Sequence, residues 1–178
     1  MGTRISLIIL AAMLISCKSY TDISLVKSSE APDGYKEIFE IMSDRILQRL
    51  PNVTQKNILS IEFRIDNSLQ GDSSVVHIHN GHAVICGGRT RALLFGGGEL
   101  MRQMKFYEKH FKINDGNYQF FPTKRFRQCY IARHFDNWYH RAPNEEMLKY
   151  IEDLALWGIN AFHMHLDYPM VDLEFATE

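Results

Sequence analysis

Apolar and polar residues alternate along the chain with two different periods, one typical of helices and one of strands. From Tyr35 to Leu50, apolar residues recur at three- and four-residue steps, the spacing of one helix face. From Leu59 to Ile65 they alternate with polar residues, the spacing of a half-buried strand. Two further strand-like runs flank Asn80-Gly81, a dipeptide that favours the positive backbone dihedrals of a type I′ turn. These patterns predict a helix, a strand and a hairpin.

The segment after the hairpin predicts a helix in spite of three consecutive glycines. Apolar residues from Leu93 to Met104 share one helix face, and Thr90 is placed to cap the start of the helix. Each residue of Gly96-Gly97-Gly98 costs about 1 kcal/mol relative to alanine, which calls for a reason. Close packing of bare backbone on a sheet is the favoured one. A phosphate-binding loop is the alternative, but the run matches neither the dinucleotide fingerprint nor the P-loop.

A strand, a helix and a second strand are predicted in the last third of the chain. Residues 107–123 are aromatic and irregular and are interpreted as a linker, after which Phe126 to Ile131 favours a strand. Asn144 is placed to cap a helix with an apolar stripe, and Gly158 to end it. Ile159 to Leu166 is the second strand, and the helical crossover favours parallel pairing.

Two histidines and an aspartate stand at alternate positions at the end of this second strand. His163, His165 and Asp167 therefore share one face, and Phe162 and Met164 share the other, which suits packing under the preceding helix. Parallel strands are normally apolar on both faces, and a buried polar group without a partner costs about 2 kcal/mol or more. The polar face is consistent with a metal site, a network of satisfied histidines, or the mouth of a (β/α)8 barrel. The barrel mouth is favoured.

The N-terminal residues have the order of a secretory signal. One arginine precedes the apolar run Ile5 to Ile15, which is too short to span a bilayer. Leu14 to Cys17 resembles the lipobox of bacterial lipoproteins, in which the cysteine becomes the lipid-bearing N-terminus. We therefore expect a signal peptide over residues 1–16, an irregular tether over 17–34, and a secreted lipoprotein anchored in the periplasm or at the cell surface. A cleaved signal with an incidental cysteine is the alternative.

Composition and charge limit the class of partner. The chain has 178 residues, of which 46% are hydrophobic, and its 21 acidic and 20 basic residues nearly cancel. A globular domain fits this composition, and no strong field attracts nucleic acid or an anionic surface. Cys86 and Cys129 are far apart in sequence and are expected to be separate buried thiols.

Three stretches of the sequence resemble glycoside hydrolase family 20, the β-N-acetylhexosaminidases. Asn160 to Asp167 is similar to the family's second barrel strand. Arg127 and the run Ala132 to Phe135 are similar to its first strand, where an arginine binds sugar hydroxyls. Arg89 to Met104, with the preceding hairpin, looks like the small α+β domain that precedes the barrel and that α-glucuronidases also possess.

The resemblance implies an α+β fold followed by an incomplete barrel. The α+β accessory domain, a small sheet with helices on one side, would occupy residues 35–121, and residues 122–178 would form the first β-α-β of a (β/α)8 barrel. Met164 stands where the family has tryptophan, and Tyr168-Pro169 replaces its second aspartate, which indicates a divergent branch nearer the α-glucuronidase-like enzymes. The substrate-binding positions that the resemblance implies are His163, His165, Asp167 and Arg127, with Arg125 or Arg133 as substitutes for Arg127.

The family's catalytic aspartate and glutamate lie on the fourth barrel strand, so no catalytic residue is expected within this chain. In that mechanism the substrate's own acetamido group is the nucleophile. We expect the N-terminal portion of a secreted glycoside hydrolase, inactive as this fragment, with carbohydrate as ligand and the membrane as a partner through Cys17. No metal, cofactor or nucleic acid is expected. The alternatives are a noncatalytic lipid-anchored carbohydrate-binding or scaffold module, and a fragment of an α-glucuronidase-like enzyme.

Overall fold

The computed structural model describes residues 17–28, 31–50, 56–132 and 138–165, and the strands within these ranges form three sheets. No helix in the described ranges is long and apolar enough to cross a membrane. The elements in chain order are β1 (Cys17–Tyr20), β2 (Asp22–Leu25), α1 (Tyr35–Leu47), β3 (Ile58–Ile65), β4 (Ser74–His79), β5 (His82–Gly87), α2 (Thr90–Gln103), β6 (Lys105–Phe106), β7 (Phe111–Asn114), β8 (Gly116–Phe120), β9 (Gln128–Ala132), α3 (Trp138–Arg141), α4 (Asn144–Leu156) and β10 (Ala161–His165).

The largest sheet has five strands in the order β2-β3-β5-β4-β8. β2, β3 and β5 are parallel, while β4 runs antiparallel to β5 and β8 antiparallel to β4. Helices α1 and α2 cover one face. On β3, Leu59, Ile61 and Phe63 point toward these helices and are fully buried, whereas Arg64 on the other face is exposed. The apolar residues of this strand therefore form its buried face, as predicted. The α+β class is confirmed.

The hairpin between β4 and β5 turns at the predicted dipeptide. Asn80 has φ 51° and Gly81 has φ 83°, and positive values at both positions are what a type I′ turn requires. The antiparallel register places His79 opposite His82 at the two sides of this turn. The hairpin prediction is confirmed.

Two of the three glycines in α2 face other elements of the same domain. A Cβ added to Gly96 would lie 2.6 Å from Cγ2 of Ile85 on the sheet. A Cβ on Gly97 would lie 2.5 Å from Sδ of Met42 on α1. The predicted packing on the sheet is thus correct for Gly96, while Gly97 instead admits the neighbouring helix.

The third glycine brings α2 close to the end of α4. A Cβ on Gly98 would overlap the backbone carbonyl oxygen of Leu156, which cannot move aside as a flexible side chain can. α2 therefore contacts the sheet, α1 and α4 on three sides, and each glycine serves a different neighbour.

The two helix caps differ from the sequence prediction. Thr90 and Asn144 are the first residues of α2 and α4, and the cap positions are held by Arg89 and Pro143 without a side-chain cap hydrogen bond. The cap predictions are wrong because each helix begins one residue earlier than the capping pattern indicates. Arg89 is extended, with φ −166° and ψ 168°, and its side chain bonds elsewhere.

Residues 17–25 form two strands rather than part of an irregular tether. β1 pairs antiparallel with β7, and β2 pairs parallel with β3 at the edge of the five-stranded sheet. Tyr20 and Ile23 are buried, with 4% and 7% of their surface exposed. Each strand has only four residues, and the break at Thr21 hides the alternation from sequence reading.

The segment interpreted as a linker over 107–123 contains two strands of the core. β7 joins β1 and β6 in a three-stranded antiparallel sheet, and β8 completes the edge of the five-stranded sheet. Phe111 and Ile113 are buried. The alternation of Phe111 with Ile113 and of Tyr118 with Phe120 was a usable signal. The linker interpretation is therefore wrong, since both strands are paired within the sheets of the fold.

The cysteines are free thiols in three separate places. Cys17 is exposed at the start of β1, and Cys86 and Cys129 are partly buried. Burial raises the pKa of the Cys86 thiol above its ordinary value. Cys86 and Cys129 are therefore unpaired, as the sequence predicts.

Candidate functional site

β9 and β10 form a parallel pair connected through α4. Ala161 lies opposite Gln128, and His165 lies opposite Ala132. The carboxyl ends of the two strands therefore lie side by side, which confirms the predicted strand-helix-strand unit. In α/β barrels the carboxyl ends of strands supply the binding groups, so this edge is the candidate site.

The turn from α4 into β10 depends on Gly158. The N–H of Gly158 donates to the carbonyl of Ala155 at 2.8 Å, and that of Ile159 donates to the carbonyl of Leu154 at 3.0 Å. These two bonds are those of a Schellman motif, and Gly158 supplies the left-handed residue with φ 91°. A Cβ at this position would also lie 2.6 Å from the ring of Phe120. The predicted glycine end of the helix is confirmed.

The histidines of the candidate site lie on β10. His163 is exposed, and its ring meets the ring of Tyr130 on β9 edge-on, with centroids 5.4 Å apart. His165 occupies the last position of β10, opposite Ala132. Asp167 lies outside the described residues. The two-stranded sheet thus presents an imidazole and a phenol on one open face, and sugar contact by all three predicted positions stays a prediction.

The opposite face of β10 is less covered than the sequence predicts. Phe162 is 38% exposed, because α4 packs mainly against α2 rather than on the strand pair. Arg45 of α1 also holds α4: its Nε donates to Asp153 at 2.6 Å and its Nη2 to Glu152 at 2.9 Å. The position of α4 is therefore set by the α+β domain.

Arg127, the predicted sugar-binding arginine, is engaged with protein groups. Its Nε donates to the carbonyl of Gly158 at 2.5 Å, its Nη1 to that of Lys124 at 2.9 Å, and its Nη2 to Asp72 Oδ2 at 2.8 Å. The guanidinium also lies over the ring of Phe95 at 5.0 Å. Its side chain is only 16% exposed. A sugar hydroxyl would have to compete with these partners.

Of the two substitutes for Arg127, only Arg125 lies within the described residues. Arg125 stacks its guanidinium over the exposed ring of Phe126, 5.4 Å from the centroid. Arg133 lies outside the described residues. Arg125 therefore does not replace the contacts that Arg127 makes at the base of the strand pair.

A buried aspartate that the sequence analysis missed is the centre of this region. Asp72 precedes β4, and its side chain is 4% exposed. Oδ1 accepts hydrogen bonds from Arg89 Nε at 2.8 Å and from Arg91 Nη2 at 3.0 Å. Oδ2 accepts from Arg127 Nη2 and from Asn160 Nδ2, both at 2.8 Å. One carboxylate thus joins the start of α2 to the starts of β9 and β10.

The surroundings of Asp72 keep it ionised. Burial alone would raise its pKa, but the hydrogen bonds from Arg127, Asn160, Arg91 and Arg89 outweigh burial and hold the pKa well below the ordinary range. Such charge-assisted bonds are roughly twice as strong as neutral ones.

Asn160 completes the connection between the two strands. Its Oδ1 accepts the backbone N–H of Arg127 at 2.9 Å, and its Nδ2 also donates to the carbonyl of Arg125 at 2.8 Å. Its own N–H donates to the carbonyl of Arg127 at 3.0 Å. Asn160 therefore fixes the strands at their amino ends, opposite the edge where the histidine strand ends.

The described residues bring an imidazole and a phenol together on one open face. Among them, no three His, Cys, Asp or Glu side chains are grouped so that they could hold a metal ion. The arrangement can present aromatic and imidazole groups to a ligand, held in place by the Asp72 cluster.

Sequence comparisons give no match, and structural comparisons give many. No family model matches the sequence, and a search of curated proteins finds no significant similarity. The fold, by contrast, is similar to that of glycoside hydrolases of families 20 and 115.

Three solved structures illustrate this similarity. A GH20 exo-β-N-acetylglucosaminidase from Vibrio harveyi, an inactive mutant, aligns with TM-score 0.63 and 19% identity over 85% of this chain and 24% of its own. A GH115 4-O-methyl-α-glucuronidase aligns with TM-score 0.61 and 10% identity over 83% of this chain and 25% of its own. The GH20 β-N-acetylhexosaminidase from Streptomyces coelicolor A3(2) aligns with TM-score 0.54 and 18% identity over 86% of this chain and 33% of its own.

The TM-scores show a shared fold, and the chain spans between 24% and 33% of the length of these proteins. An α+β domain followed by a parallel strand pair is therefore the fold that this chain has in common with part of two glycoside hydrolase families.

Proposed function

We propose that this chain is the N-terminal portion of a secreted glycoside hydrolase that acts on glycans and is β-N-acetylhexosaminidase-like. The observation that carries the proposal is the fold shared over 85% of the chain with a GH20 exo-β-N-acetylglucosaminidase. The sequence resemblance at Asn160 to Asp167 supports it independently, because it concerns residue types rather than backbone shape.

In this proposal the strand pair is the beginning of a (β/α)8 barrel in a longer polypeptide. β10 pairs with β9 alone within the described residues, so its other edge offers unpaired backbone groups to a further strand. The three solved structures described above are three to four times as long as the matching segment. The remaining strands would supply the catalytic carboxylates.

The proposed sugar contacts are His163, His165 and Asp167 on β10 and the segment after it. Their alternation gives them one face, and His163 is exposed on that face beside Tyr130. Arg127 would join them only by exchanging one of its present partners, and its first role is to hold the strand pair to Asp72.

Hydrolysis of two aryl glycosides, an N-acetylglucosaminide and a glucuronide, tests the proposal. The 178-residue chain should not turn over an aryl N-acetylglucosaminide, because the family resemblance implies that the catalytic carboxylates belong to the fourth barrel strand, outside this chain. A longer polypeptide that continues through the remaining strands should turn it over, and His163→Ala in that polypeptide should lower kcat/KM by about tenfold or more. Turnover by the short chain would refute the inactivity, and a folded but inactive long polypeptide would contradict the hydrolase role.

An α-glucuronidase-like enzyme is the second candidate. The GH115 match, with TM-score 0.61, favours it. The same assay separates the two, because preference for an aryl glucuronide over the N-acetylglucosaminide would select this candidate. A noncatalytic binding module would bind glycan and cleave neither compound in any length of polypeptide.

We also propose that the chain is secreted and carries a lipid on Cys17. Leu14 to Cys17 supports this by its likeness to a lipobox, and the Cys17 side chain is exposed at the start of β1. Mass spectrometry of the mature protein should find an N-terminus at Cys17 with an added diacylglyceryl mass. Cys17→Ser should abolish the lipid, and Cys86→Ser, the matched control, should retain it. An unmodified N-terminus in the mature wild-type protein would reject the anchor.

A further inference from the structure

A cleft of about 470 Å³ lies between α1, α2 and α4, outside the strand pair. Its floor is apolar, with Met101 and Leu156 at 9% and 6% exposure. Its rim carries Trp157, Arg49 and Arg102. Pockets for small ligands commonly have volumes of roughly 300–1,000 Å³ and combine apolar floors with a few polar groups.

Trp157 is the most exposed large aromatic group beside this cleft. It follows α4 directly, and 70% of its surface is exposed. The guanidinium of Arg102 lies over its ring at 5.4 Å and is itself fixed by Glu99 and by the carbonyl of Leu156, both at 2.9 Å. One side of the indole is therefore held by a cation. The rest of the ring offers a flat apolar surface, of the kind on which the C–H face of a sugar ring stacks.

Arg49 supplies a positive charge that no carboxylate within the described residues matches. Arg45 is paired with acidic groups of α4, and Arg102 is paired with Glu99. Arg49 instead lies over the ring of Phe106, with its guanidinium 5.1 Å from the centroid. A guanidinium held by an aromatic ring keeps its N–H fork available for a carboxylate or a sulfate, which it binds in bidentate geometry.

We propose that this cleft binds an acidic sugar unit of a glycan, with the sugar ring on Trp157 and its carboxylate or sulfate on Arg49. The inference goes beyond the proposed hydrolase function, because binding here requires no reaction and no residue of β9 or β10. A neutral sugar lacks the group that Arg49 binds, so it should bind much more weakly.

The chain contains two tryptophans, which makes a direct optical test possible. Trp138→Phe leaves Trp157 as the single indole and keeps an aromatic ring against Tyr150, which lies 5.5 Å from Trp138. The full chain with this change is titrated with a glucuronate-containing disaccharide, a sulfated disaccharide and the neutral disaccharide of N-acetylglucosamine. The emission of Trp157 should change saturably with at least one acidic compound, and added salt should weaken that binding.

Two arginine variants in this background test the assignment of the charge. Arg49→Gln should weaken binding of the acidic sugar by about tenfold or more, because it removes a charge-assisted contact. Arg64→Gln is the matched control, since Arg64 is likewise an exposed arginine but lies on β3, outside the cleft, and it should leave binding unchanged. Circular dichroism and the unfolding temperature verify that each variant is folded.

Three outcomes would overturn the proposal: no saturable change with either acidic disaccharide, equal binding of the neutral one, or equal weakening by the two arginine variants. Because the test uses binding to the short chain, its failure is independent of whether a longer polypeptide hydrolyses aryl glycosides.

Discussion

At the scale of single residues, Asp72 decides how the strand pair is held to the α+β domain. Its carboxylate accepts from three arginines and one asparagine while only 4% of its side chain is exposed. Replacing a buried ion with a neutral group leaves its partners as uncompensated charges, which is more costly than a lost surface ion pair.

Asp72→Asn should therefore lower the free energy of unfolding by about 3 kcal/mol or more. Urea unfolding followed by circular dichroism measures the change. Asp66→Asn is the control, because Asp66 is a surface carboxylate bonded to Ser68, and surface substitutions usually stay within about 0.5 kcal/mol. Equal effects of the two substitutions would show that the Asp72 cluster adds little.

The pKa of Asp72 also sets the direction of a pH dependence. Because the folded-state pKa lies below the ordinary value of 3.8, the carboxylate contributes its full stabilisation above about pH 4 and loses it as pH falls through the folded-state value. The stability difference between wild type and Asp72→Asn should thus shrink as pH is lowered from about 5 toward 2. A constant difference over that range would contradict the assigned shift.

The sequence predicts some of these residues and not others for a physical reason. His163 is recognisable because its alternation with Phe162 and Met164 depends on neighbours in the chain. Asp72 is not, because its partners Arg127 and Asn160 lie 55 and 88 positions away. In sequence it is one more polar residue in a loop.

At the scale of elements, α2 is the helix around which the molecule is packed. Its glycine run lets the sheet, α1 and α4 approach on three sides. The sequence predicts the helix and a close approach, since glycines inside a helix need a reason. It does not indicate three neighbours, because α1 and α4 are distant in sequence and nothing local specifies where they pack.

Gly98→Ala should displace α4 and destabilise the protein by about 1–3 kcal/mol, the usual cost of overpacking. The added methyl group would meet the rigid carbonyl of Leu156. Gly97→Ala is the matched control, since it meets only the flexible end of Met42 and gains about 1 kcal/mol of helix propensity. Thermal unfolding of both variants measures the difference, and equal stabilities would show that α4 does not depend on this contact.

At the scale of the whole molecule, the N-terminal strands belong to the fold. β1 and β2 bridge the two larger sheets of the α+β domain, and each places one side chain in the core, Tyr20 and Ile23. The predicted start of the domain at residue 35 leaves these two strands out, because strands of four residues carry little pattern. It recognises the longer β3 and the hairpin without difficulty.

Removal of residues 17–25 should therefore cost about 3 kcal/mol or more, since burying one large apolar side chain contributes roughly 1.5–3 kcal/mol. Soluble variants that start at residue 17 and at residue 26 are compared by denaturant unfolding, and the former should unfold cooperatively at a higher urea concentration. Identical midpoints would restore the tether interpretation for this segment.

The convergence of four donors on one acceptor has an evolutionary consequence. A lineage that loses the aspartate would keep three guanidinium groups close together without their shared carboxylate. The positive charges of Arg89, Arg91 and Arg127 would then repel one another. Relatives that lack the aspartate should therefore lack the three arginines as well. Sequences that keep several of these arginines around a neutral residue should be rare.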